Sequence, residues 1–92
     1  MKFQIQFTAM KYTLLHRNTS MHASSDEKFV TWMRHHDLQH FSSNEEFMKA
    51  YSTRKGTFEN IQLRSNSPES FVQDLVKNNL LKKEAKSRWK LF

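Results

Sequence analysis

The sequence predicts a small α+β domain: a two- or three-stranded sheet, from residues 2–15 and 57–64, packed against three amphipathic helices over 26–36, 44–54 and 68–83. Three observations carry this. Apolar residues alternate with polar ones near the N-terminus, which is the period of a half-buried strand. Three serine-led helix starts follow, each ahead of an apolar stripe. A second short alternating stretch lies between the last two helices.

The first strand reads from residue 2. Phe3, Ile5 and Phe7 share one face, and Lys2, Gln4 and Gln6 the other. The apolar phase then slips to Met10, Tyr12 and Leu14, as one extra residue near Thr8-Ala9 would cause, through a bulge or a hairpin turn. A helix from Ala9 to Arg17 competes, since Phe7, Met10 and Leu14 also fit helical spacing. Thr8, Tyr12 and Thr13 favour the strand. Residues 18–24 are polar and read as a loop.

Ser24-Ser25-Asp26-Glu27 opens the first helix, ahead of Phe29, Val30, Trp32 and Met33. Ser42-Ser43-Asn44-Glu45-Glu46 opens the second, ahead of Phe47, Met48 and Tyr51. Ser67-Pro68-Glu69 opens the third, ahead of Phe71, Val72, Leu75, Val76 and Leu80. In each, a serine oxygen can accept from backbone N–H groups that have no helical partner, and an acid faces the positive helix end. Proline suits the first helical position. Gly56 is read as the left-handed stop of the second helix. Ile61 and Leu63 share a face of the 57–64 strand. The uneven spacing of the three starts points to common capping chemistry rather than a repeat.

With 92 residues, 8 Phe, 2 Trp and 2 Tyr, the chain suffices for one aromatic-rich core. The absence of cysteine excludes thiol nucleophiles, cysteine-ligated zinc and iron–sulfur clusters, and favours a cytoplasmic setting. A single glycine excludes glycine-rich phosphate loops. No apolar run has the length of a signal peptide core or a membrane span. Asn18-Thr19-Ser20 matches a glycosylation pattern, read here as chance. His36 and His40 have the i, i+4 spacing of a helical metal pair, but zinc needs further ligands, and histidine also suits a helix C-terminus. No Gly-x-Ser-x-Gly elbow occurs, and acid–base catalysis by a histidine pair with a lysine is the enzymatic alternative, since it needs only groups that converge in space. No catalytic residue, metal or cofactor is therefore assigned, and a non-enzymatic protein is expected.

Charge supplies the functional expectation. The net charge is +6, and residues 82–92 hold +4 of it, leaving a nearly balanced 1–81 body. The chain thus reads as one compact domain over 1–81 with a basic tail over 82–92 that can extend the last helix. The tail, with the neighbouring Lys77, is read as a nucleic-acid contact through Lys77, Lys82, Lys83, Lys86, Arg88, Trp89 and Lys90: cations for phosphate, Trp89 for stacking. The Lys2, Gln4, Gln6 face offers a dimeric, groove-reading ribbon as a narrower version, with a homodimer implied. A basic segment ending in Trp89, Leu91 and Phe92 also suits a membrane surface, the weakest of these uses. The alternative is a protein-interaction module, an adaptor or inhibitor, presenting Trp32, Met33, Met48, Tyr51 and Trp89 as an exposed patch.

Overall fold

The computed structural model describes residues 9–85. The class is α+β: a three-stranded antiparallel sheet packed against three helices. The strand expected over residues 2–7 lies outside the described residues.

Strands β1 (Met10–Leu14) and β2 (Thr19–Ala23) form a hairpin, with Met10 opposite Ala23 and Leu14 opposite Thr19. Asn18 closes the turn at φ 52°, left-handed backbone that asparagine tolerates better than most residues. Residues 19–23 are therefore strand and not the expected loop. Their polarity belongs to one face only, since Met21 and Ala23 point inward while Ser20 and His22 point out. Across the hairpin the outward Thr13 and Ser20 hydroxyls meet at 3.0 Å.

Serine caps open all three helices as their sequence implies. In α1 (Asp26–His35), Ser25 accepts from the Lys28 N–H; in α2 (Asn44–Glu59), Ser43 accepts from Glu46; in α3 (Pro68–Lys77), Ser67 accepts from Ser70. Helix ends differ from expectation. Gly56 lies inside α2, and Asn60 supplies the left-handed stop at φ 55° while the Ile61 N–H reaches back to the Lys55 carbonyl at 3.0 Å. Residues 57–64 are consequently the last turn of α2 and an irregular connection, not a strand. Ile61 and Leu63 still pack against the core from that connection.

Helix α3 stops at Lys77 instead of continuing to 83. Asn79 turns left-handed at φ 58°, and the Leu80 N–H closes on the Leu75 carbonyl at 2.9 Å. The chain then enters β3 (Leu81–Ala85), which pairs antiparallel with the other edge of β1, Leu81 opposite Leu14 and Ala85 opposite Met10. The sheet order is β2-β1-β3. The described start of the expected tail is thus an edge strand and not an extension of the helix.

Tyr12, Leu14, Ala23 and Leu81 on the inner sheet face meet Phe29, Val30, Phe47, Phe71, Val72 and Leu75 from the helices. Aromatic contacts organise this core. Tyr12 stacks on Phe29 at 4.4 Å, and Phe71 takes Phe47 and Tyr51 edge-on at 6.3 and 5.6 Å. Asn44 ties α2 to α1, accepting from Arg34 Nε and donating to Thr31 Oγ1, each at 2.8 Å. Among the described residues no helix is long and apolar enough to cross a membrane.

Candidate functional site

The basic residues singled out in the sequence do not converge where they are described. Lys77 ends α3, beside the surface hollow formed with Asn60, Arg64, Asp74 and Asn78. Lys82 lies on the outer sheet face, in register with Thr13. Lys83 lies on the opposite face, where its amine meets Asp26 Oδ1 at 2.8 Å and sits 5.5 Å from the Tyr12 ring centroid. Asp26 also accepts from the Tyr12 hydroxyl at 2.7 Å. Burial, then that hydrogen bond, raises the Tyr12 pKa far above the usual phenol range. Lys83, though exposed, is therefore engaged as the partner of Asp26. Lys86, Arg88, Trp89 and Lys90 lie outside the described residues, as do Lys2, Gln4 and Gln6.

Residues 9–85 hold 11 Lys or Arg and 9 Asp or Glu, a net +2. The remaining +4 resides in Lys2, Lys86, Arg88 and Lys90, with no acid in either terminal segment. Because Met10 is paired with Ala85, both segments depart from one end of the sheet.

A cleft lies at the other end. It is bounded by the β1–β2 turn (His16, Arg17), the residues after α1 (Asp37, Leu38) and the second half of α2 (Tyr51, Arg54, Lys55, Phe58, Glu59), and encloses about 290 Å³. Arg54 donates to Asp37 at 3.0 Å, and Lys55 to Glu59 at 2.8 Å. Both cations also lie 5.5 Å from the centroid of the Tyr51 ring. Burial pushes the Asp37 carboxyl up, but the bonds from Arg54 and the Gln39 N–H, with the charges of Arg54 and Arg17, outweigh it and hold it below the usual range. His16 is lowered, first by burial and then by Lys55 and Arg17. Tyr51 is 7% exposed, and its hydroxyl has no hydrogen-bond partner among the described residues. On the rim, Leu38 and Phe58 stand in solvent, Phe58 at 80% exposure.

This relocates the apolar surface read from the sequence. Met33, Met48 and Tyr51 are buried core residues, and Trp32 is half-buried between Phe29 and His36. Trp89 lies outside the described residues. The large apolar groups exposed near the cleft are Leu38 and Phe58, neither of which was singled out. Nothing local marks them: Leu38 follows a helix end, and Phe58 reads equally well as the start of a strand.

The histidines are not gathered. His36 Nδ1 lies 2.8 Å from the Trp32 carbonyl while its ring packs on Trp32 at 4.4 Å, so the ring is committed locally. Among the described residues no three His, Asp or Glu side chains are grouped as metal ligands. The described residues thus form a small α+β fold with one mixed, apolar-rimmed cleft, and the chain's remaining positive charge lies in the segments outside them. Comparison with protein families, with curated proteins and with solved structures finds no match to this chain.

Proposed function

We propose that the protein binds nucleic acid, non-enzymatically, at the end of the sheet from which both terminal segments depart. The observation that carries this is the pairing of Met10 with Ala85. The described fold begins and ends beside that pair and is close to neutral, and the segments beyond it carry Lys2, Lys86, Arg88 and Lys90. Clustered cations with few acids neutralise phosphates and release condensed counterions, so binding is driven by salt dilution and depends little on base sequence. Trp89 adds a ring on which an unpaired base can stack. Lys82, in register with Thr13 toward the other end of β1, stands apart from these cations, and Lys83 contributes little because Asp26 holds it.

Titration of a labelled 20-nucleotide DNA or RNA, single- and double-stranded, into the full chain at several salt concentrations tests the reading. Four phosphate contacts on a duplex give a log–log salt slope of roughly −3.6, a loss of roughly 100-fold between 50 and 200 mM salt. The variant Lys86→Gln/Arg88→Gln/Lys90→Gln should weaken binding strongly and reduce the slope. Affinity indifferent to salt, or to this triple substitution, rejects the reading.

A further inference from the structure

We propose that the cleft between the β1–β2 turn, the end of α1 and the second half of α2 docks a partner polypeptide segment that presents one carboxylate beside a large apolar side chain. The inference is independent of the nucleic-acid reading, since the cleft lies at the opposite end of β1.

Charge identifies the polar half of the occupant. Arg54 is paired with Asp37, and Lys55 with Glu59. The Arg17 guanidinium has neither an ion-pair nor a hydrogen-bond partner among the described residues. His16 beside it is predominantly neutral at pH 7, because its pKa is lowered. One fork-shaped cation, with five N–H donors, is left to receive a planar anion, and a carboxylate matches that geometry bidentately.

Exposed surface identifies the other half. Leu38 and Phe58 flank the same cleft, both exposed and from different elements. An apolar side chain lying between them is covered on two sides. The open cleft's 290 Å³ falls just below the range of roughly 300–1,000 Å³ for small-molecule pockets, and suits an anchoring side chain better than a whole ligand.

A nucleic-acid strand fits less well here. Asp37 and Glu59 line the cleft, and a run of phosphates would pass both carboxylates, whereas a single carboxylate needs only Arg17. Opposed acids are what separate a peptide site from a phosphate track.

The test pans a displayed library of random 12-residue peptides against the immobilised full chain, then measures a synthesised, labelled winner by fluorescence anisotropy. Enriched sequences should carry Asp or Glu within two positions of Leu, Ile, Phe or Trp. Arg17→Ser and Phe58→Ser should each weaken binding tenfold or more, and Leu38→Ser several-fold, with thermal midpoints unchanged because all three side chains are exposed. Amidating the peptide's acid should cost as much as Arg17→Ser in the parent and nothing further in that variant. Amide chemical-shift changes should centre on residues 16–17, 37–38 and 51–59. No enrichment, enrichment without acids, indifference to Arg17→Ser, or shifts elsewhere overturns the proposal. So does displacement of the peptide by the DNA probe, or a concentration-dependent self-association abolished by Phe58→Ser, which would make the occupant a nucleic acid or a second copy.

Discussion

Asp74 is the buried charged residue of the described fold, and Arg64 satisfies it almost completely. The Arg64 N–H and Nε donate to Oδ2 at 2.8 and 2.9 Å, and Nη2 donates to Oδ1 at 3.0 Å. The side-chain bond from Arg64 is the main reason the carboxyl titrates below its usual range, with burial opposing it and the Arg64 N–H, the Arg64 charge and Lys77 adding to it. A depressed folded value means that the unfolded chain takes up the proton first. The stabilisation is therefore complete above the unfolded pKa, near 4, and is lost as pH falls through the lower folded value. His16 acts earlier by the same logic: its folded pKa lies below 6.5, so acidification through 6.5 protonates the unfolded chain preferentially and begins to erode stability. Urea midpoints should thus decline gently from pH 7 to 5 and steeply below pH 4. His16→Gln should flatten the upper limb. Asp74→Asn should flatten part of the lower one and cost about 1–3 kcal/mol at pH 7, the penalty of spoiling charge-assisted bonds at a buried acceptor.

Two substitutions distinguish how the helices begin from how they end. Ser43 and Ser42 share the opening of α2, where Glu46 returns a carboxylate oxygen to the Ser42 N–H and hydroxyl at 3.1 and 2.7 Å. Removing the cap with Ser43→Ala should cost about 1 kcal/mol in equilibrium unfolding. Gly56, in contrast, is an ordinary helical residue, and a Cβ added there would meet only the Ile61 carbonyl oxygen at 3.8 Å. Gly56→Ala should raise stability by about 0.5–1 kcal/mol. A loss on Gly56→Ala would show that the glycine does serve as the helix stop. The contrast explains what was legible. Caps are local side-chain chemistry, so all three helix starts could be read from Ser25, Ser43 and Ser67. Ends were set by Asn60 and Asn79 in left-handed backbone, a role asparagine fills less often than glycine and which leaves no clear mark. Strand β3 was hidden for another reason. Lys82, Lys83 and Glu84 look like a solvated helix end or tail, and become a strand because β1 has an open edge to which Leu81 can return. The cleft was the least legible feature, since Arg17, Leu38 and Phe58 come from three separate stretches and gain meaning only when the hairpin turn folds over α2.

At the scale of the molecule, the two proposed surfaces are set apart by the central strand. One is rooted at Met10 and Ala85, and the other begins just past Leu14. A strand rises about 3.4 Å per residue, so β1 alone separates them by about 15 Å. That is about two Debye lengths at physiological ionic strength, where screening length is roughly 8 Å. Charge changes at one end should then be felt weakly at the other, and sites this far apart without shared partners usually behave additively. The triple variant at Lys86, Arg88 and Lys90 should leave peptide affinity within about twofold of the parent, and Arg17→Ser should leave oligonucleotide affinity within about twofold at 150 mM salt. Saturating peptide should not displace oligonucleotide, so a protein with both activities would bridge a nucleic acid to a protein partner. If Arg17→Ser instead lowers the salt slope by about one phosphate contact, the guanidinium is reading the backbone and the cationic surface runs the full length of the sheet. The bridging architecture would then give way to one continuous nucleic-acid track, and Asp37 and Glu59 would become its negative interruptions.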